Sequence, residues 1–93
     1  MRLFWAPGAI EDLGHLRATI AQDNPRAAAE IAAKVLTAVE RLSSFPASGR
    51  PGRVPNTREF VVPGTPLVIP YRVTDRGVEI IAVLHGARRW PVA

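Results

Sequence analysis

The tripeptide Asp23-Asn24-Pro25 constrains the fold more than any other part of this chain. Before it, aliphatic residues recur at steps of three and four, which predicts a helix over roughly Pro7–Gln22. After it, an alanine-rich apolar stripe predicts a second helix that reaches Phe45, with Asn24 as its cap and Pro25 in its first turn. So short a connection forces the two helices to run antiparallel, as a tight hairpin. The residues expected on the inner face of the first helix are Ile10, Leu13, Leu16 and Ile20.

The second half of the chain predicts β-structure. Pro46–Asn56 contains three prolines and two glycines, which predicts an ordered or semi-ordered loop. Thr57–Val62 and Leu67–Val73 have the character of strands, and Val78–His85 is expected to return antiparallel after a tight turn. Pro70 cannot donate a hydrogen bond to a neighbouring strand, so we expect a bulge or a locally unpaired position there.

The order of these elements defines a fold class. A short opening strand, Leu3–Trp5, precedes the helices, so the predicted order is β-α-α-β-β-β. Ninety-three residues suffice for one domain with one core, which we assign to residues 1–93. The sequence therefore predicts an α+β domain in which a helical hairpin, with Trp5 beneath it, packs on an antiparallel sheet. The expected cross-strand pairs are Val73 with Val78, Arg72 with Glu79, and Tyr71 with Ile80.

Positive charge is concentrated in the second half of the chain. The formal net charge is +4, and residues 46–93 hold seven arginines against three acidic residues, whereas residues 1–45 are balanced. Such a segment suits a nucleic acid or an acidic protein segment as partner. Arg58 is expected to stay available, because Glu59 beside it points to the opposite face. The candidate residues for binding such a partner are Arg50, Arg53, Arg58, Arg88, Arg89 and Trp90.

Several classes of site are excluded by composition. Cysteine is absent, so the chain has no disulfide, thiol nucleophile or thiolate metal site. The two histidines, His15 and His85, show no spacing typical of metal ligands, so neither a metal nor a cofactor is expected. We expect His15 to be solvated, and His85 either to cap an edge of the core or to act in catalysis. The lack of a signal sequence and of a long apolar run predicts a cytoplasmic protein without membrane contact.

Seven short motifs follow one another along nearly the whole chain. They are Phe4-Trp5-Ala6-Pro7, Asp23-Asn24-Pro25, Phe45-Pro46, Gly49-Arg50, Thr57-Arg58-Glu59, Pro70-Tyr71-Arg72-Val73 and Val83-Leu84-His85-Gly86-Ala87-Arg88. Together they resemble the RelE/ParE superfamily of toxins from bacterial type II toxin–antitoxin, or plasmid stabilisation, systems. The resemblance implies a compact toxin in a hetero-oligomer with a cognate antitoxin, whose C-terminal segment wraps around it.

The superfamily divides into two activities. RelE-like members cleave mRNA in the ribosomal A site with arginines, lysines and often a histidine or a C-terminal tyrosine, whereas ParE-like members lack that set and poison DNA gyrase. In this chain, cleavage would rest on Arg58, His85 and Arg88. No arginine shortly precedes Tyr71 and no tyrosine follows His85, so the resemblance favours a gyrase poison without catalytic residues. The alternatives are a ribosome-dependent endoribonuclease and a degenerate toxin that only binds its antitoxin.

Overall fold

The structure is a computed structural model that describes residues 1–86. Two helices, α1 (Pro7–Asp23) and α2 (Pro25–Ser44), follow the opening strand β1 (Leu3–Trp5). The remaining strands are β2 (Arg50–Pro51), β3 (Arg58–Val61), β4 (Leu67–Thr74), β5 (Gly77–Ile80) and β6 (Leu84–His85). The predicted tail residues lie outside the described residues; they are Arg88, Arg89 and Trp90.

The predicted α+β class, with a helical hairpin packed on a sheet, is confirmed. The strand order is β1-β5-β4-β3-β2, and β6 pairs with the beginning of β4. The sheet is antiparallel except at one edge, where β1 runs parallel to β5. Successive elements of the chain reverse direction, so β5 returns in the direction of β1 and the two pair in parallel. The predicted loop after α2 also contributes the short strand β2, which pairs with β3.

The predicted register between β4 and β5 is confirmed. Tyr71 lies opposite Ile80, and Arg72 lies opposite Glu79. On the neighbouring β5–β1 pair, Glu79 lies beside Phe4. Because paired residues share a face of the sheet and successive residues alternate between faces, this register fixes which side chains meet the helices.

The prediction of one continuous strand over Val78–His85 is wrong, since β5 and β6 are separate. Between the last pair of β5 with β4 (Ile80 with Tyr71) and the first pair of β6 with β4 (Leu84 with Val68), β4 advances by three residues and the returning chain by four. The extra residue forms a bulge opposite Pro70. The bulge was predicted from the missing proline N–H. The Ile81 N–H donates to the Pro70 carbonyl (2.9 Å), and the Val83 N–H turns away to a carboxylate oxygen of Asp12 on α1 (3.0 Å).

The helical hairpin forms as predicted, with two local differences. The Asn24 side chain accepts a hydrogen bond from the Ala27 N–H (3.1 Å), which confirms the predicted cap. Ile10 is 58% exposed rather than inward-facing, because the fully buried Ala9 takes the inner position in the first turns of α1. Phe45 lies just beyond α2 and is 59% exposed, where the guanidinium of Arg41 lies over its ring.

The two faces of the sheet have different chemistry. The face under the helices, called here the covered face, forms the core with α2. Trp5, predicted to lie in the core beneath the hairpin, packs against that core but is only partly buried. Fully or almost fully buried residues of this core are Val35, Val39, Leu42, Ile69, Tyr71, Val78 and Ile80. The opposite face is called here the open face. By the register, its strand residues are Phe4, Arg50, Glu59, Val61, Val68, Pro70, Arg72, Thr74, Gly77, Glu79 and Leu84.

Candidate functional site

The loop that follows α2 is held by the phenol of Tyr71. This buried side chain donates a hydrogen bond to the Pro46 carbonyl (2.7 Å) and accepts one from the Gly49 N–H (2.8 Å). A Cβ at position 49 would lie 2.7 Å from the phenol oxygen and 2.8 Å from the Glu59 carbonyl, so only glycine fits. Burial raises the pKa of Tyr71 above its ordinary value, against opposing effects of the Gly49 hydrogen bond and the Arg58 charge. The phenol therefore stays protonated and structural.

A buried carboxylate holds the next part of the same loop. The Glu59 side chain, only 7% exposed, accepts hydrogen bonds from the Arg53 backbone N–H (3.0 Å) and from the Arg50 guanidinium (3.3 Å). Arg50 nevertheless keeps 59% of its side chain exposed, and Arg53 is exposed as well. Glu59 thus fixes the loop on which both predicted arginines stand, while their charges face solvent. Sequence analysis missed this role, although an acidic residue at an alternating position beside an arginine-rich loop was a usable signal.

The prediction that Arg58 stays available is wrong. Its guanidinium donates to the Gly49 carbonyl (2.8 Å), and the side chain is half-buried. Arg58 and Glu59 do point to opposite faces, as expected, but Arg58 finds a backbone acceptor in the loop instead of a carboxylate. It lies opposite Tyr71 on the covered face, so it supports the loop from below. This contact separates Arg58 from the arginines of the open face.

Arg58 and His85 do not come together around one site. His85 lies opposite Leu67, whereas Arg58 lies opposite Tyr71 on the other side of β4. Four residues along a strand and two strand spacings place their Cα atoms roughly 16 Å apart. His85 is exposed, and one cleft beside it is lined by α1 residues that include Asp12. The predicted nuclease pair is therefore not assembled.

His85 instead lies near the loop arginines. Arg50, Arg53 and His85 line one narrow cleft, with Glu59 and Pro70 beneath them. The cleft has a volume of about 20 Å³. That is room for about one water molecule, so no nucleotide fits into it.

A second cationic cluster lies at the other edge of the open face, and sequence analysis missed it. The guanidinium carbons of Arg2 and Arg76 each lie 5.1 Å from the centre of the Phe4 ring. We call these three residues the Arg2–Phe4–Arg76 stack. Phe4 lies beside Glu79, whose carboxylate is 3.4 Å from Arg72. Arg2 and Arg76 are distant in sequence, and only the parallel pairing of β1 with β5 brings them together.

An apolar groove, called here the α2 groove, runs between α2 and the outer edge of β3. Its volume is about 660 Å³, and Lys34 and Arg41 contribute positive charge to it. β2 pairs only with Arg58 and Glu59, so the outer edge of β3 has no strand beside it further along, within the described residues. The other lining residues are Ala33, Thr37, Ala38, Phe60, Val61 and Pro63.

Two further observations concern residues 1–86. No helix in this range is long and apolar enough to cross a bilayer. No group of three or more histidine, cysteine or acidic residues in the same range is arranged to hold a metal ion. His15 is exposed, as expected from the sequence.

Comparison with known proteins extends over almost the whole chain. Residues 3–90 match the family model described as the ParE toxin of the type II toxin–antitoxin system parDE. The chain belongs to this family. It is 46% identical to Y4kP of Sinorhizobium fredii, a candidate toxin by name, over 97% of this chain and 93% of the relative. It is 36% identical to toxin RelE2 of Caulobacter vibrioides, over 94% of this chain and 97% of the relative.

The fold of this ParE-family toxin also matches a solved structure. The chromosomal ParDE toxin–antitoxin system from P. aeruginosa superposes with a TM-score of 0.83 and 24% identity, over 91% of this chain and 95% of that chain. The helical hairpin on a largely antiparallel sheet is therefore shared with that system. The resemblance to the RelE/ParE superfamily inferred from sequence motifs is confirmed, and the protein is a toxin of a type II toxin–antitoxin system.

Proposed function

We propose that this ParE-family toxin poisons DNA gyrase through the arginines of its open face and does not act as an enzyme. The observation that carries the proposal is the shape of the surface where the predicted residues meet. Arg50 and Arg53 stand exposed above a cleft of about 20 Å³. Sites that enclose a small ligand are typically about 300–1,000 Å³. A surface of this kind fits a macromolecular partner better than an enclosed small molecule.

The chemistry of the surrounding groups also favours binding. Cleavage of RNA needs a base, an acid and cations around the phosphate. Tyr71 is buried with its hydroxyl engaged by the loop, Glu59 is occupied by Arg50 and the Arg53 amide, and Arg58 is bonded to Gly49. These contacts commit the polar groups near the loop to holding it in place.

The α2 groove is the surface that we assign to the antitoxin. Its apolar lining, with Lys34 and Arg41 beside it, matches an amphipathic antitoxin segment that combines aliphatic and acidic residues. Such a segment would cover the groove and hold the toxin in an inactive hetero-oligomer. Gyrase and its DNA lie in the bacterial cytoplasm, so the proposal places the toxin there. The tail residues Arg88, Arg89 and Trp90 are proposed to extend the target- or antitoxin-binding surface.

A gyrase assay with purified toxin freed of antitoxin tests the proposal. We expect the toxin to inhibit supercoiling of relaxed plasmid and to trap cleavage complexes. The double variant Arg50→Gln/Arg53→Gln should lose most of this effect. The matched control Arg17→Gln/Arg26→Gln removes two exposed arginines of the helices and should keep it. Normal gyrase activity beside a toxin that still arrests growth would contradict the proposal.

One observation favours a second candidate, a ribosome-dependent endoribonuclease. Arg50, Arg53 and His85 line the same cleft, which puts a potential acid or base beside two cations. The gyrase account predicts that His85→Gln arrests growth as the parent does and that transcripts stay intact in the presence of ribosomes. Ribosome-dependent cuts in mRNA that disappear in His85→Gln would establish the nuclease instead. A toxin that never arrests growth would identify a degenerate antitoxin-binding protein.

A further inference from the structure

Guanidinium groups occur across the whole width of the open face. Arg50 lies on β2 at one edge, Arg72 lies on β4 in the middle, and Arg2 and Arg76 lie beside β1 at the other edge. Five strands with spacings of about 4.8 Å make this face about 19 Å wide. That width exceeds the roughly 12 Å of a DNA major groove, so the face reaches the phosphates on both sides of it.

The open face keeps a positive excess after its ion pairs are counted. Glu59 is 3.3 Å from Arg50, and Glu79 is 3.4 Å from Arg72, so each of these carboxylates already has an arginine. Asp75, in the turn between β4 and β5, is the remaining acidic residue beside the stack. Arg2, Arg53 and Arg76 lie outside these two ion pairs and are all exposed, so with Asp75 counted against them the described part of the open face keeps an excess of two positive charges.

The Arg2–Phe4–Arg76 stack positions two of these charges. A guanidinium stacked on an aromatic ring keeps the N–H groups at its edge available, in a planar fork that matches phosphate oxygens. Proteins that bind single strands use open aromatic rings as platforms for bases. Phe4 is half-buried and already carries two guanidinium groups, so it supports cations rather than bases. The stack therefore favours a backbone of phosphates over unpaired bases.

We propose that the open face binds the phosphate backbone of duplex DNA, with the Arg2–Phe4–Arg76 stack as its anchor. The inference rests on the proposed function in one respect, since the duplex would be the segment that gyrase holds. In this arrangement, the α2 groove takes the antitoxin and the open face takes DNA on the other side of the sheet. An acidic peptide suits the open face less, because the apolar lining that such a segment would bury lies in the α2 groove.

The test is the salt dependence of binding to a short fluorescein-labelled duplex, measured by anisotropy with the full-length toxin freed of antitoxin. Each phosphate contact contributes about 0.9 to the slope of log K against log salt concentration. Arg2→Gln/Arg76→Gln should therefore bind more weakly and lower the magnitude of the slope by about 1.8. Arg17→Gln/Arg26→Gln, with the same change of net charge, should leave the slope unchanged. Phe4→Leu keeps every charge and should weaken binding without reaching the loss of the double variant.

Each outcome of this test decides the inference. Wild-type toxin that does not bind duplex, or equal slopes for the stack variant and the helix control, would overturn it. If the stack variant bound duplex DNA as the parent does but lost antitoxin binding, the open face would be assigned to an acidic protein. That result would also overturn the inference. The gyrase assay is independent: inhibition of gyrase without duplex binding leaves the proposed function standing. If the toxin binds duplex DNA through the stack but does not inhibit gyrase, the DNA-binding surface is supported and gyrase is refuted as the target.

Discussion

The two faces of this sheet are built from the same strands and have opposite properties. On β4, Ile69 and Tyr71 are fully buried against the helices, whereas Arg72, which follows Tyr71 and belongs to the open face, keeps 43% of its side chain exposed. The covered face holds the fold together by apolar burial, which contributes about 1.5–3 kcal/mol for each fully buried aliphatic side chain. The open face displays arginines whose positions are set by carboxylates, an aromatic ring and the loop. Side chains alternate between the two faces along a strand, so the residues that stabilise the fold and the residues proposed for recognition lie on opposite faces of the sheet.

Truncation of the core beneath the covered face should give the largest effect. Leu42 on α2 is fully buried. Leu42→Ala should lower the free energy of unfolding by about 2–5 kcal/mol, because it removes apolar burial and leaves a cavity. Urea denaturation of the isolated toxin measures this. If the loss were as small as that of an open-face variant, the separation between the faces would be wrong.

The loop that joins the two faces should be nearly as sensitive at Gly49. A Cβ there meets the Tyr71 ring and the backbone oxygen of Glu59 at less than 3 Å. Gly49→Ala should cost about 1–3 kcal/mol, as overpacking does elsewhere. Gly14→Ala is the matched control, since that glycine is exposed on α1 with no atom within 4 Å of the new Cβ. The control should stabilise the protein by up to about 1 kcal/mol. Equal melting temperatures for the two variants would show that the loop is not clamped.

Removal of the Tyr71 hydroxyl should have a comparable cost and a distinct pH signature. Tyr71→Phe leaves the Gly49 N–H and the Pro46 carbonyl without this partner, at a cost of about 1–3 kcal/mol. Burial raises the pKa of Tyr71 above 10.0, so the folded state holds this proton more tightly than the unfolded state. The contribution of this protonated phenol to the free energy of unfolding is therefore complete below pH 10 and decreases as the pH rises further. Chemical denaturation across this range should show the decrease in the parent and its absence in Tyr71→Phe.

The smallest effect on stability is expected from the exposed ion pair of the open face. Arg72 and Glu79 are 3.4 Å apart with 43% and 41% of their side chains exposed. Arg72→Gln should change the free energy of unfolding by only about 0.2–1 kcal/mol, because water and salt screen such a pair. A thermal melt at low and high salt checks this. A loss that matches Leu42→Ala would mean that the open face also carries the fold.

Much of this architecture was predictable from local pattern. The Asn24 cap, the hairpin of helices, the Pro70 bulge and the register of Arg72 with Glu79 all depend on residues close in sequence. The parallel pairing of β1 was not predicted, because no local signal states which strand an opening segment joins. The interrupted last strand was missed for a related reason. Its Val83 amide is drawn to Asp12, which lies 71 positions earlier.

The candidate site was less predictable than the fold. The sequence identified Arg50 and Arg53 as candidate binding residues, and in the structure both are exposed. It did not reveal that Glu59 holds their loop, that Arg58 turns to the Gly49 carbonyl, or that Phe4 gathers two arginines. All of these contacts join elements that meet only after the sheet has formed, and only the Glu59 contact had a signal in the sequence, an acidic residue at an alternating position beside the arginine-rich loop.

The most direct test of the account is a gyrase cleavage assay that sets the open face against the helices. Toxin freed of antitoxin is added to gyrase and relaxed plasmid as the parent, as Arg50→Gln/Arg53→Gln, and as Arg17→Gln/Arg26→Gln. The proposed function predicts trapped cleavage complexes with the parent and the helix variant, and few or none with the open-face variant, although all three fold. Equal amounts of trapped cleavage complex with all three proteins would contradict it. A complete absence of trapped complexes with toxin that still arrests growth would contradict it as well.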